Sequence, residues 1–145
     1  MANPVCEVLV TEEELSAASR DDADLHAGAI VDFWGAVRQL ENEDQIEGID
    51  YEAHKVMAEH QMKLIAEAAT EKFPLRRVLL HHRIGFVRAG EASLFLRVTA
   101  AHRAEAFEAS KWIVDQLKKK VPIWKKPRFV SQTNMRTAQT AVATP

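Results

Sequence analysis

A chain of 145 residues, 47% hydrophobic and 28% charged, with five glycines and five prolines, has the makeup of one ordinary globular domain. Such a length hides roughly two-thirds of the unfolded surface in a single core. Nineteen Lys plus Arg against 21 Asp plus Glu leave a formal net charge of -2, which suits neither an overall basic nucleic-acid binder nor an acidic disordered tail. One cysteine, Cys6, excludes an internal disulfide and a cysteine-based zinc cluster supplied by this chain alone. No apolar run reaches membrane-spanning length, and the first residues lack the charged-then-apolar pattern of a secretory signal. The expectation is a cytoplasmic protein with no membrane partner.

The near-neutral total hides an asymmetry. Residues 1–50 carry 13 acids and two bases, and residues 51–145 carry 17 bases and eight acids. Such a split either draws two parts of one fold together or builds an anion site on the basic side. Two differently charged solvated faces are the plain alternative.

In chain order, Val5–Val10 reads as a short strand. Thr11 with Glu14 matches a capping box, which predicts a helix over Glu12–Ala18. Asp21, Asp22 and Asp24 mark a loop. Gly28–Arg38 is rich in branched and aromatic residues and reads as a buried strand, with Gly35 marking a bulge or a close backbone approach. Gln39–Glu47 is polar and unpatterned, hence a mobile loop. Ile46–His54 returns as a strand, and Val56–Phe73 has helical spacing, ended by Pro74. Arg76–Ile84 and Ser93–Ala101 are strands with no long helix between them, so an antiparallel hairpin is expected rather than a parallel crossover. Ala104–Lys120 is the clearest helix, closed by Val121-Pro122. The expected architecture is α+β: one compact domain over residues 1–130 with an antiparallel or mixed sheet and a long C-terminal helix. Residues 131–145, poor in apolar residues, read as a flexible tail.

The helix Ala104–Lys120 places Lys118 at the edge of its apolar stripe, where the stem can follow the core and the amine can reach a pocket rim. Ordinary snorkelling and the preference for cations at a helix C-terminus explain the same placement. In Pro122-Ile-Trp-Lys-Lys-Pro127 two prolines stiffen the backbone, and Trp124 is expected to anchor it and so position Lys125. Lys118 and Lys125 flank the helix end and can reach one anion; a surface lysine beside a buried tryptophan is the alternative for Lys125. Arg38 ends an apolar strand, while His102 and Arg103 sit at a strand-to-helix change where free amides appear. Together they suit a phosphate. The alternatives are a helix-start role for His102 and a salt bridge from Arg103 to Glu91 or Glu52. His81 and His82 alternate faces of a strand and cannot easily share a metal, and His54 and His60 lack a ligand spacing. Tyr51 and Cys6 read as structural. Ser110 falls inside the apolar stripe and is discarded as a nucleophile, and the single cluster of Lys118–Lys120, Lys125, Lys126 and Arg128 lacks the aromatic series of an RNA surface.

Several elements then combine. They are Gly28-Ala, Phe33-x-Gly35-x-Val37-Arg38, Tyr51-Glu52-Ala53 with Met57-Ala58, His82-Arg-Ile-Gly85, Gly90-Glu91, Ala101-His-Arg103, Ala106-Phe-Glu-Ala109, Asp115, Lys118, Pro122 and Trp124-Lys125. In this order and spacing, over about residues 5–126, the chain resembles the large, catalytic subunit of molybdopterin synthase. The resemblance implies an α+β fold with a hammerhead-like portion. It implies a sulfurtransferase that makes the dithiolene of molybdopterin from cyclic pyranopterin monophosphate in two successive rounds. The sulfur is brought by a small ubiquitin-like sulfur-carrier subunit whose C-terminal Gly-Gly tail bears a thiocarboxylate, so the step needs no metal or cofactor. The implied assembly is a heterotetramer, a central homodimer of large subunits with one small subunit at each end.

By the same resemblance Lys118 and Lys125 are catalytic. Arg38, His102 and Arg103 form the substrate's anion pocket, with Lys118, Lys125 and Lys126 also binding substrate. The chain departs from the family pattern at Ala36, where a basic residue is common. It departs again after Lys126, where Pro127-Arg128-Phe129-Val130 replaces a glutamate, a glycine-containing turn and a tryptophan-bearing strand; Phe129 is the candidate to replace that aromatic. These departures keep open an alternative, a non-catalytic scaffold paralogue that docks a small sulfur-carrier protein. Convergence of the lysines with Arg38, His102 and Arg103 discriminates the two.

Overall fold

The computed structural model describes residues 3–17 and 24–130. The expected tail over 131–145 and the acids Asp21 and Asp22 lie outside the described residues. The first strand, β1 (Val5–Thr11), runs parallel to β5 (Leu75–Arg83). β5 pairs antiparallel with β7 (Ala92–Ala100), which pairs antiparallel with β2 (Ala29–Ala36). The result is one mixed four-stranded sheet in the order β1-β5-β7-β2. Two 18-residue helices, α1 (Lys55–Lys72) and α2 (Arg103–Lys120), cover one face of it. Val10, Val78, Leu80, Leu96 and Val98 from the sheet meet Met62, Ile65, Ala69, Ala106, Ile113 and Leu117 from the helices, all buried.

A second sheet is built on β4 (Asp44–Ala53), which pairs with β3 (Leu40–Glu41), β6 (Gly85–Arg88) and β8 (Ile123–Phe129). It has its own small core of Val37, Ile46, Ile49 and Val87, against which Phe129 packs. Tyr51 packs against both cores. The α+β class, the mixed sheet and the long second helix are as the sequence suggests, and β5 and β7 are antiparallel neighbours as expected.

Three local expectations change. Residues 12–17 are not helical; Thr11 closes β1 with its carbonyl accepting from Ile84 N, and its hydroxyl accepts from Glu13 N, two residues on rather than three. The threonine is thus held in the sheet and cannot start a helix. Gln39–Glu47 is not a loop but the tight β3–β4 hairpin, whose turn residues Asn42 and Glu43 both have positive φ (51° and 72°), the pairing that matches strand twist. β2 is an edge strand rather than a buried one, with Ile30, Phe33 and Trp34 about 40% exposed. Its apolar richness was uninformative because both partners of an edge strand's faces are decided elsewhere in the chain. The bulge expected at Gly35 is present as a register shift between Gly35 and Ala36.

The charge asymmetry finds its use in the fold. Arg76–Asp24, Arg77–Glu7, Arg97–Asp32 and Arg128–Asp50 each join an acid of the first 50 residues to a base of the remainder. Arg97 is the most buried of these bases and makes paired bonds to Asp32 at 2.7 and 2.8 Å. The exposed pairs are individually worth little, so they select the partner strand more than they stabilise it.

Gly48 of β4 lies tight against β6. A Cβ there would lie 2.3 Å from the Val87 carbonyl oxygen and 2.7 Å from the Phe86 ring, and the backbone oxygen cannot move aside. Gly48→Ala is expected to destabilise the fold by about 1–3 kcal/mol, measured as a lowered urea midpoint.

Candidate functional site

Between the two sheets lies an open cleft of about 300 Å³. Its walls come from β2 (Phe33, Gly35), the β4 face bearing Ile49 and Tyr51, the end of α2 (Leu117, Lys118, Val121) and β8 (Ile123, Lys125), and His82 and Leu94 line its floor. Arg38 and Glu41 stand on the side formed by the link from β2 to β3. Each cation is aimed by a different backbone device.

Lys118 is placed by the last turn of α2. Leu117 and Val121 bury one side of that turn, the helix stops where the Val121 amide donates to the Leu117 carbonyl, and Pro122 prevents continuation. Lys125 is placed by strand alternation: on β8, Ile123 and Pro127 are buried, Lys125 lies between them on the same face, and its register partner is Tyr51. Trp124 faces the other way and is 42% exposed, so it is not the anchor expected from the sequence. The pairing of β8 with β4 does that work. Arg38 is fixed through Val37, whose amide donates to the Glu91 carbonyl and whose carbonyl accepts from Gly90 N. Gly90 has φ +95°, and the turn carrying it is clamped by the Glu91 carboxylate, which accepts from Arg83 Nη1 at 3.0 Å and from Arg88 N at 3.3 Å. Glu91 is therefore engaged with Arg83, not with Arg103.

Among the described residues Arg38, Lys118 and Lys125 have no ion-pair partner. Three cations against one acid, Glu41, leave the cleft net positive, which suits an anion. His102 and Arg103 do not line it. They sit at the start of α2, both exposed; Arg103 is 15 residues from Lys118, about 22 Å along the helix axis, and His102 one residue farther. His102 is the residue before the helix, as one alternative had it, but its side chain makes no capping bond. Lys126 also stays outside the cleft, since alternation turns it away from Lys125 and leaves it exposed. Ser110 is buried and donates to the Ala106 carbonyl, in keeping with its place in the apolar stripe. His54 caps α1, its Nδ1 accepting from Met57 N. Among the described residues no three His, Cys, Asp or Glu side chains are grouped as metal ligands, and no helix is long and apolar enough to cross a membrane.

Two cleft residues escaped the sequence reading. Tyr51, set aside as structural, forms part of the wall; burial pushes its phenol up, outweighing the opposing hydrogen bond from Ser93. His82 is only 6% exposed. Its Nδ1 lies 2.8 Å from the Arg83 carbonyl, and its ring meets Tyr51 edge-on at 5.3 Å. Burial pulls its pKa down to about 4, the carbonyl bond opposing and the nearby Lys118 charge reinforcing that effect. The signal available in the sequence was position: His82 shares the inward face of β5 with Val78 and Leu80, whereas His81 points outward to Phe95.

The model of the MoaE protein family matches residues 10–120. The chain is 44% identical over 99 residues to the molybdopterin synthase catalytic subunit of Pyrococcus abyssi, covering 68% of this chain and 67% of that one. It is 43% identical over 103 residues to the molybdopterin synthase catalytic subunit of Oryza sativa subsp. indica, covering 71% of this chain and about half, 53%, of that longer protein. The crystal structure of molybdopterin synthase from Staphylococcus aureus superposes with a TM-score of 0.79 at 28% identity, covering 85% of this chain and 91% of that one.

His82 gives the cleft a pH signature. Between pH 6.5 and about 4 the unfolded histidine binds a proton that the folded one refuses. Stability is therefore full above pH 6.5 and falls as pH drops through that window, by about 3 kcal/mol in all. In His82→Gln this component is expected to vanish, seen as a flatter dependence of the urea midpoint on pH between 7 and 4.

Proposed function

Because the chain belongs to the MoaE family, that of molybdopterin synthase catalytic subunits, we propose that its cleft converts cyclic pyranopterin monophosphate to molybdopterin. The sulfur comes from the thiocarboxylated C-terminal tail of a small ubiquitin-like carrier protein. The observation that carries this reading is the convergence of Arg38, Lys118 and Lys125, none of them with an ion-pair partner among the described residues, on one partly apolar cleft.

Both reactants are anions, one a cyclic phosphate and the other a thiocarboxylate. Their approach is opposed by charge unless cations stand between them. Lys118, on the helix end, balances the negative charge that develops as sulfur attacks, and moves the proton that the attack requires. Lys125, held on β8 across from Tyr51, holds the tail or the intermediate. Arg38 offers paired donors to the phosphate. The apolar wall of Leu94, Leu117, Val121 and Ile123 lowers the local dielectric and so strengthens each of these interactions.

His102 and Arg103 enter this scheme through a second copy of the chain. They are too far along α2 to reach their own cleft, so a homodimer that brings the start of one α2 to the partner's cleft would complete the phosphate site. The full assembly proposed is that homodimer with a carrier subunit on each large subunit, acting in the cytoplasm. The cleft also favours an enzyme over a scaffold that merely docks the carrier, because a docking surface has no need of lysines gathered at the rim of a cavity.

The test is reconstitution of the purified chain with thiocarboxylated carrier and cyclic pyranopterin monophosphate, product being followed by mass spectrometry. A two-sulfur product is expected. Lys118→Ala should lower its rate by about a hundredfold or more with an unchanged melting temperature. Carrier binding without sulfur transfer would instead support the scaffold, and near-normal turnover by Lys118→Ala would remove that lysine from the chemistry.

A further inference from the structure

None of the roles above uses His82, the most deeply buried polar side chain of the cleft after the fold's own ion pairs. Its geometry is fully determined on one side. The Arg83 carbonyl oxygen can only accept, so Nδ1 at 2.8 Å must carry the hydrogen and donate it. In a neutral imidazole the second nitrogen, Nε2, is then a bare acceptor. The edge-on contact with Tyr51 fixes the plane of the ring. Among the described residues Nε2 has no hydrogen-bond partner, and it is not one of the sealed, unsatisfied side-chain atoms, so it opens onto the cleft. A ligand that fills the cleft and excludes water must offer Nε2 a donor or leave it unpaired at a cost.

The surroundings narrow what the donor can be. Leu94, Leu117, Val121 and Ile123 give the floor flat apolar walls, and the cations stand at the rim. A ligand filling this space is anionic at one end and has an apolar-faced ring with a hydrogen-bond donor at the other. We infer that Nε2 of His82 is a substrate-binding acceptor that takes a hydrogen bond from an N–H of the pterin ring. The inference rests on the substrate proposed above. It makes His82 a determinant of orientation: the ring end enters first, and the phosphate is left beside the cations.

Three substitutions separate this role from a structural one. Asn carries its amide at the level of Nδ1 and can keep the bond to Arg83, but offers nothing at the level of Nε2. Gln extends to the level of Nε2 and offers its carbonyl there. Leu offers neither. In the reconstituted synthase, His82→Asn and His82→Leu are expected to lower kcat/KM for the pterin by about tenfold to a hundredfold, mainly through KM. His82→Gln is expected to recover most of it. Recovery by Asn and not by Gln would show that only the Arg83 bond matters and would overturn the inference, as would unchanged KM in all three.

Titration of each folded variant with cyclic pyranopterin monophosphate by calorimetry keeps this result apart from the proposed reaction. Binding by the unaltered chain that weakens in Asn and Leu but not in Gln supports the acceptor even if no sulfur is transferred. Equal binding by all variants overturns it while leaving the reaction standing, and no binding by the unaltered chain overturns both. Melting temperatures identify a variant that has lost its fold, in which case the remaining pair decides.

Discussion

At Gly85, with φ +86°, the chain stops being a strand of one sheet and becomes a strand of another. β5 ends at Arg83 beside β1 and β7, and β6 begins at Gly85 beside β4. A residue with a Cβ resists that backbone conformation, and without the turn β5 would continue straight and the two sheets could not diverge. The cleft is the space that this divergence opens. His82 is its floor because it is the last inward-facing residue before the break. The same few residues provide the clamp on the far side, since Arg83 holds Glu91, and the turn held by Glu91 fixes Val37 and aims Arg38.

A second break mirrors the first. α2 packs on the first sheet and β8 belongs to the second, with only Val121 and Pro122 between them. Lys118 and Lys125 are therefore carried by elements that belong to different sheets' layers, one by the end of the helix on the first sheet and the other by the strand paired with β4. Tyr51, which packs against both cores, ties the two halves together at the level of the cleft. The cations are thus held by packing rather than by carboxylates, and this is what leaves their charge available to a ligand. Elsewhere, among the described residues, six bases do find acids, and four of those six pairs join the acidic beginning of the chain to its basic remainder.

An anion site made of unpaired cations over an apolar floor has a consistent logic. Charge at the rim attracts the ligand over a distance and is satisfied when it arrives, while the floor offers contact area and one directional acceptor. Burial keeps His82 neutral, so the acceptor does not add a fourth positive charge to the cluster. A protonated imidazole there would repel Lys118 and lose the lone pair that faces the cleft.

Much of this was written into local sequence. The two helices, the antiparallel pairing of β5 with β7 and the bulge at Gly35 follow from periodicity and from glycine and proline chemistry, which act over a few residues. Motif spacing pointed to Arg38, Lys118 and Lys125, and the structure brings those three to one cleft. What local pattern does not contain is which element lies beside which. That β2 is an edge, that Gln39–Glu47 closes as a hairpin, and that Pro122–Pro127 is a strand on β4 depend on partners distant along the chain, and Thr11 is claimed by a sheet bond to Ile84 before it can cap a helix. The same reason explains the residues at the site. His82 is one of an uninformative pair in the sequence until the fold shows which face of β5 points into the cleft, and His102 and Arg103, grouped with Arg38 in the sequence, stand at the far end of α2 from the cleft that Arg38 lines. Sequence sets each element's own conformation and its chemistry; the separation of two side chains in space is set by how those elements pack.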